Sequence, residues 1–206
     1  MTTPADPFTL ARWRRNVASL YAALREDAPD RAAQARDFRA ARDALFRDDP
    51  QSPLDAAIRS RHAGIAWYPY DPSWRVMGTI VPAPVAAGFD VALDDDGIVR
   101  CSRVGHAHFE TPKGAGSLAL YWIEGYGGGL WLPFADATSG RTTYGGGRYL
   151  YDTIKGADLG VDATKIVLDF NHAYSPSCAY DPRWSCPLSP RENRLSFAVE
   201  AGERTA

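Results

Sequence analysis

The first sixty residues carry a hydrophobic pattern typical of amphipathic helices. An Asp-Pro pair at residues 6–7 forms a helix start, with an N-cap residue followed by proline at the first helical position. Apolar residues then recur at helical spacing along one stripe: Leu10, Trp13, Val17, Leu20, Tyr21 and Leu24. After a break at residues 28–30, the pattern predicts a second helix over residues 31–47 and a short third helix that begins near Ser52 and ends near Gly64.

Beyond these helices the pattern changes to alternation, which is typical of half-buried strands. The predicted strands are residues 74–80, 89–93, 98–104, 117–123, 130–132, 165–170 and 195–199. Asp95, Asp96 and Gly97 predict a tight hairpin turn, and further turns lie at residues 111–114 and 125–129. Short turns between successive strands favour a mostly antiparallel sheet. We therefore expect an α+β fold, mostly β: an antiparallel sandwich or a partly open barrel with two or three N-terminal helices packed on it.

The domain organisation predicted from the sequence is simple. Residues 1–206 form a single domain, because the pattern contains no internal repeat, linker or low-complexity segment. Residues 1–62 are its helical segment and residues 63–206 its β-rich body. Aromatic residues make up 12% of the chain, including six Trp and ten Tyr, and this favours well-packed strands and stacking surfaces for a ligand.

Charge and hydropathy exclude several classes of partner. The formal net charge is −2, so no overall field attracts nucleic acid or an anionic membrane, and we predict neither as a partner. The opening MTTPADPF lacks the basic and apolar regions of a signal peptide, and no run approaches the roughly 20 apolar residues of a membrane span. We therefore predict a soluble, cytoplasmic protein, and a homo-oligomer is compatible with this composition.

Two polar stretches interrupt the strand pattern, and we expect them to meet in space. The first, residues 134–149, contains Asp136 directly after an apolar run, where a carboxylate serves as a general base, a metal ligand or a turn former. Its glycine-rich part, residues 140–148, is either a tight turn or an anion-binding nest completed by Arg141 or Arg148. It matches neither nucleotide-binding fingerprint.

The second stretch, residues 165–203, begins with a strand and continues into a loop with four prolines. Asp169 and Asn171 are one residue apart, which puts both side chains on the same face of the strand end. There they either position a substrate or water, or hold the loop through backbone hydrogen bonds. Glu192 either forms an ion pair, with Arg148 or Arg183, or joins Asp169 as the second carboxylate of an acid/base pair.

Two cysteines on the same loop, Cys178 and Cys186, leave several alternatives open. They form a disulfide, remain a pair of free thiols, ligate a metal together with His172, or supply a nucleophile with His172 as its base. A spacing of eight does not match the close cysteine pairs of zinc sites, and a cytoplasmic compartment favours free thiols. We predict no metal and no cofactor. The third cysteine, Cys101, is most simply a strand residue in or near the core.

An ordered series of motifs covers the chain from about Arg42 onward: Arg42-Asp43 with Leu45-Phe46, Ser52-Pro53-Leu54, Tyr70-Asp71-Pro72 before Arg75-Val76, residues 134–138 (FADAT), 143–150 (TYGGGRYL) and 168–174, Cys178-Ala179-Tyr180, Cys186-Pro187 and residues 192–195. With these motifs the chain resembles the DUF1684 family, a group of bacterial proteins of unknown function. The family's loop commonly reads Asn-Pro-Pro-Cys, whereas this chain has serine at position 175. The resemblance names no substrate, and it implies that the polar residues of the two stretches belong to a shared pattern.

The leading hypothesis is a site for a small polar or anionic ligand, built from residues of both stretches: Asp136, Thr138, Tyr144, Arg148, Asp169, Asn171, Tyr174, Glu192 and Asn193. If the site is catalytic, hydrolysis or a related acid/base reaction is the simplest assignment. Asp169 or Glu192 would then be the base, Arg148 would hold an anionic group and Asn171 would orient it. The alternative is a non-enzymatic structural or interaction protein, whose polar residues fix the proline-rich loop. The sequence does not decide whether the protein is an enzyme.

Overall fold

The computed structural model of the chain describes residues 6–84, 88–93 and 97–205. Its helices are α1 (Pro7–Arg25), α2 (Arg31–Asp48) and the short α3 (Ala56–Arg59). The first two begin as their sequences predict, because Asp6 accepts a hydrogen bond from the Phe8 amide at 3.0 Å and Asp30 accepts one from the Ala33 amide at 2.8 Å. Within the described residues, none of the helices has both the length and the apolar sequence needed to span a bilayer.

Seven strands form one antiparallel sheet that curls into a half-barrel. They are β1 (Arg75–Pro82), β2 (Phe89–Leu93), β3 (Gly97–Thr111), β4 (Gly114–Ile123), β5 (Gly129–Phe134), β6 (Arg148–Asp152) and β7 (Lys165–Asp169). Their order is β6-β5-β4-β3-β1-β7, and the long strand β3 also pairs with β2. The predicted α+β, mostly β fold is therefore confirmed in its partly open barrel form.

The helices pack on one face of this sheet. Tyr21 of α1 and Phe38 of α2 meet edge to face, with ring centroids 5.3 Å apart, and belong to the same core as Leu150 of β6 and Leu168 of β7. A smaller buried cluster lies apart from this core, formed by Cys101, Ala119, Tyr121, Trp131 and Tyr149.

The local turn predictions agree with the observed hairpins. Thr111 pairs with Gly114 across the β3–β4 turn, and Ile123 pairs with Gly129 at the start of β5. Leu93 pairs with Gly97 where β2 meets β3, whereas Asp95 and Asp96 of the predicted turn lie outside the described residues.

Two strand predictions differ from the structure. Residues 195–199 do not form a strand, because their backbone hydrogen bonds to the segment after β5 do not continue into a ladder: Leu195 donates to the Ala135 carbonyl at 2.8 Å, and Ala137 donates to the Phe197 carbonyl at 3.1 Å. Strand β6 was not predicted, since all five of its residues are buried and its sequence shows no alternation.

Candidate functional site

The two polar stretches lie against each other, as their composition predicts. Tyr149 at the end of the first stretch and Tyr174 in the second exchange backbone hydrogen bonds of 2.8 and 3.1 Å. The predicted site residues do not form one cluster, however. They divide into a buried ion pair, a bracket between strands, a tyrosine–cysteine group and a polar group at the end of β7.

The buried ion pair joins Asp136 to Arg148, and the side chains of both are at most 1% exposed. Asp136 Oδ2 accepts from Arg148 Nη2 at 2.8 Å, and Asp136 Oδ1 accepts from the amide and hydroxyl of Thr138 at 2.6 and 2.5 Å. The Thr138 hydroxyl also lies 2.9 Å from that of Thr143. This network closes the turn that follows β5.

The guanidinium of Arg148 also holds the end of the chain. It donates to the carbonyl of Val199 at 2.9 Å, to that of Glu203 at 3.0 Å and to that of Ala201. Burial lowers the pKa of Arg148, and the charge of Asp136 offsets part of that effect. Both Nη atoms are occupied by protein acceptors, so the geometry assigns this arginine to fixing the C-terminal segment.

The glycine-rich part of the first stretch is a tight turn. The amides of Arg141, Thr142 and Thr143 all donate to the Thr138 carbonyl, at 2.9, 3.0 and 3.2 Å. Gly147 has a φ of +91°, and a Cβ there would lie 2.6 Å from the Phe134 carbonyl oxygen, so this position requires glycine. The amides of residues 141–143 are therefore used within the turn.

Glu192 and Asn193 form a bracket between strands. Glu192 accepts from the Tyr121 hydroxyl at 2.5 Å and from Arg103 at 2.9 Å, so its ion pair is with β3 and not with Arg148 or Arg183. Asn193 is fully buried, and its amide bonds the backbone of Ala119 and Pro133 at 2.7–2.9 Å. Among the described residues, the hydrogen-bond partners of Glu192 are different from those of Asp169.

The two predicted tyrosines lie in different surroundings. Tyr174 packs its ring against Tyr149 and Tyr21 and lies under the guanidinium of Arg42, 5.0 Å from the ring centroid. Tyr144 lies beside the cysteine pair, and its hydroxyl donates to Cys178 Sγ at 3.5 Å.

Asp169 and Asn171 end strand β7 and hold the chain entering β1. Arg75 is the register partner of Asp169 across the two strands, and its Nη1 donates to Asp169 Oδ2 at 3.1 Å. Asn171 donates to Asp169 Oδ1 at 3.0 Å, while its amide group bonds both the N–H and the carbonyl of Asp71 at 2.9 and 2.8 Å. Asn171 is therefore a fully buried clamp on the segment before β1.

Next to this clamp lies a group of polar side chains in which three members have buried nitrogens without a hydrogen-bond partner among the described residues. We call it the arginine–histidine cluster, and it consists of Arg39, Trp67, Arg75, Asp169 and His172. Arg39 stacks on Trp67 with its Cζ 4.8 Å from the ring centroid, and the Phe38 ring contacts both Trp67 and His172. Among the described residues, the buried Nε and Nη2 of Arg39, Nε1 of Trp67 and Nδ1 of His172 have no hydrogen-bond partner.

Electrostatics in this cluster favour a neutral His172 beside Arg39, whose buried positive charge is only partly offset by a nearby carboxylate. Burial lowers the pKa of His172 to about 4; nearby Asp169 raises it, and Arg39 and Arg75 lower it further. Burial also lowers the pKa of Arg39, and the charge of Asp169 offsets only part of that effect. The carboxylate of Asp169, which already accepts a hydrogen bond from Arg75, is thus the counter-charge for the guanidinium groups of both Arg75 and Arg39.

The lowered pKa of His172 predicts acid sensitivity. Between pH 6.5 and 4 the unfolded chain binds a proton at this residue and the folded chain does not, so stability falls as pH falls through this window. We expect the wild type to lose about 3 kcal/mol more than His172→Phe over that range, from urea denaturation at several pH values. His108→Gln, at an exposed position on β3, should keep the wild-type slope. Equal slopes for the wild type and His172→Phe would contradict a neutral, buried His172.

A second buried ion pair was not predicted. Glu203 is fully buried, and its carboxylate accepts from Arg42 Nε at 2.7 Å, from the Ser175 amide at 2.7 Å and from the Tyr180 hydroxyl at 2.5 Å. The sequence contained an indication of this pair, because Arg42 lies four residues after Phe38, on the stripe of α2 that is buried. A charged residue on an apolar stripe indicates a buried partner.

Metal coordination finds no support among the residues that the structure describes. Within them, no three His, Cys, Asp or Glu side chains are grouped in a way that could hold a metal ion. The neighbours of His172 are Phe38 and Asp169, whereas those of Cys178 are Tyr144 and Cys186. The predicted role of His172 as a partner of the cysteines therefore has no geometric basis.

Comparison with known proteins agrees with the resemblance seen in the motifs. The chain is similar to an uncharacterized protein of Haloarcula marismortui, known from a solution NMR structure, with 34% identity and a TM-score of 0.63 over 84% of this chain and 93% of that chain. A comparison with curated proteins gives no match. The family described as protein of unknown function (DUF1684) matches residues 60–204, most of the β-rich body and the C-terminal segment. The chain therefore belongs to the DUF1684 family.

Proposed function

We propose that the protein binds a small anionic molecule, a carboxylate or a phosphate, at the arginine–histidine cluster. The observation that carries this proposal is the guanidinium of Arg39, which has two buried nitrogens without a hydrogen-bond partner among the described residues. Burying a charged donor without an acceptor is costly, and a bound anion would supply the missing acceptors. A planar guanidinium fork matches carboxylate and phosphate oxygens.

The surroundings of Arg39 supply the remaining elements of a binding site. Trp67 and Arg75 are partly exposed, while His172 is only 3% exposed. The indole N–H of Trp67 and a neutral imidazole offer further hydrogen bonds. Two guanidinium groups against one carboxylate favour a negatively charged ligand.

Under this proposal, Arg148 and Asp169 have roles that differ from those predicted from the sequence. The anion-holding role passes from Arg148 to Arg39, because the Nη atoms of Arg148 bond the C-terminal segment. Asp169 keeps a place in the site, where it orients Arg75. Asp169 already accepts hydrogen bonds from Arg75 and Asn171 and has a structural role without any substrate, so binding is the function that we propose.

Four of the predicted site residues support the alternative predicted from the sequence, a structural polar network. The side chains of Asp136, Arg148, Asn171 and Asn193 are buried and bond backbone groups of the loops around them. These residues hold the loops in place while the arginine–histidine cluster binds the ligand, so the two functions are compatible.

Binding can be tested by thermal unfolding in the presence of phosphate or citrate. At a concentration of ten times Kd, we expect an anion to stabilise the wild type by about 1.4 kcal/mol, raising Tm by about 4 °C. Arg39→Met should abolish this shift. Arg36→Met is the matched control, because Arg36 lies on the same helix with 69% of its side chain exposed, and it should retain the shift.

The same measurement distinguishes binding at the arginine–histidine cluster from binding at a second basic surface. An open depression of about 440 Å³ lies beside the turn after β5 and is lined by Ala137, Ser139, Arg141, Arg194, Leu195 and Ser196. If Arg141→Met removes the shift and Arg39→Met does not, the anion binds there and the proposal is wrong. An equal shift in wild type and Arg39→Met would also refute it. Arg39→Met should itself fold, since Arg39 forms no direct ion pair with any described carboxylate.

A further inference from the structure

Cys178 and Cys186 lie close together in the proline-rich loop, away from the arginine–histidine cluster. Cys178 belongs to a single helical turn, Ser177–Ala179, and Cys186 precedes Pro187 in an extended segment. Both side chains are half-buried, both thiols are free, and they are hydrogen-bonded to each other. The hydroxyl of Tyr144 donates a second hydrogen bond to Cys178 Sγ.

The two thiols differ in their surroundings. Hydrogen bonds from Cys186 and Tyr144 lower the pKa of Cys178 to about 6, although partial burial acts in the opposite direction. The pKa of Cys186 is raised, by its hydrogen bond to Cys178 and by burial. At neutral pH the pair therefore contains one thiolate, at Cys178, and one thiol that retains its proton.

We propose that Cys178 and Cys186 form a reversible dithiol–disulfide couple, in which Cys178 attacks a soluble disulfide and Cys186 completes the exchange. The loop supplies both requirements of such a couple: a half-buried sulfur that accepts a hydrogen bond from Tyr144, and a second free thiol beside it. The reaction depends on the loop alone and is independent of anion binding at Arg39.

The exchange proceeds in two balanced steps. The Cys178 thiolate attacks one sulfur of a soluble disulfide, forming a mixed disulfide and releasing one thiolate. Cys186 then gives up its proton to the released thiolate and attacks Cys178 Sγ, which forms the internal disulfide and expels the second thiolate. In total the two cysteines lose two electrons and the one proton of Cys186, and the soluble disulfide is reduced to one thiol and one thiolate.

Cys101 provides an internal control. It is fully buried in strand β3, and burial raises its pKa to about 11. It should therefore remain unmodified under conditions in which Cys178 reacts.

The test uses the reduced full-length protein and oxidised glutathione without oxygen. We expect an internal disulfide, seen as an intact mass lower by about 2 Da and mapped by proteolysis to Cys178 and Cys186. Cys186→Ser should stop at the first step and retain one bound glutathione on Cys178. Cys178→Ser should react at least roughly tenfold more slowly than Cys186→Ser, because burial still raises the pKa of its remaining thiol and the hydroxyl of Tyr144 does not donate to it.

A further variant tests the role of the tyrosine. Tyr144→Phe should move the pH at which iodoacetamide alkylation of Cys178 is half-maximal to a higher value than in the wild type. Equal reaction of Cys178→Ser and Cys186→Ser with glutathione would overturn the proposal, as would a wild type that never forms the internal disulfide. Cys178→Ala and Cys186→Ala repeat the comparison if either serine variant fails to fold, which circular dichroism would show.

Discussion

Replacing Asp136 by asparagine is expected to lower the free energy of unfolding by about 4 kcal/mol. The substitution leaves the guanidinium of Arg148 fully buried without its counter-charge. It also weakens the hydrogen bonds that Asp136 accepts from Thr138. Urea denaturation followed by tryptophan fluorescence measures the change directly.

An exposed ion pair provides the matched control for this variant. Asp90 and Arg100 form a pair on neighbouring strands, with each side chain about half exposed, so Asp90→Asn should leave the denaturation midpoint unchanged within error. A loss below about 1 kcal/mol for Asp136→Asn would show that the turn after β5 rearranges to satisfy Arg148 in another way.

Replacing Arg42 by methionine is expected to have an effect of similar size, about 4 kcal/mol. Burial alone would lower the pKa of Arg42, but the charge of Glu203 and the hydrogen bond to it raise this pKa overall, so the two charges stabilise each other. Without Arg42, the carboxylate of Glu203 would remain in the core with only the Ser175 amide and the Tyr180 hydroxyl as donors. Chemical denaturation at pH 7 is the measurement.

Arg47 on the same helix is the control for Arg42. It pairs with Asp48 at 2.9 Å, but both side chains are more than half exposed, so Arg47→Met should cause no measurable change. If Arg42→Met behaved like Arg47→Met, the pair with Glu203 would contribute nothing to holding the end of the chain on α2. The two results would then have to be explained by a C-terminal segment that detaches without loss of the core.

The sequence predicted the helices and hairpins well because their signals are local. Asp6 and Asp30 each cap a helix within three residues of the amides they bond, and the turn between Thr111 and Gly114 closes over two residues. The apolar stripe of α1 likewise needs no knowledge of the rest of the chain, because its period alone defines the buried face.

Predictions that depended on a distant partner were less successful. Residues 195–199 have an apolar pattern typical of a strand, yet their backbone hydrogen bonds to the short segment after β5 do not continue into a ladder. Strand β6 has no alternation because both of its faces are buried between other parts of the protein. A local pattern indicates which side chains are buried, but it does not indicate which backbone segment pairs with them.

The candidate site shows the same division. From the sequence we could predict that two polar stretches, around Asp136 and Asp169, lie together, since their density of polar groups is unlike that of ordinary strands. The three-dimensional arrangement was needed to see that Arg148 bonds the C-terminal segment, while Arg39, more than a hundred residues from Asp169 along the chain, has buried nitrogens without partners among the described residues. The reason is physical: the effect of a buried charge depends on the partner that the fold places beside it, and the order of strands sets that partner.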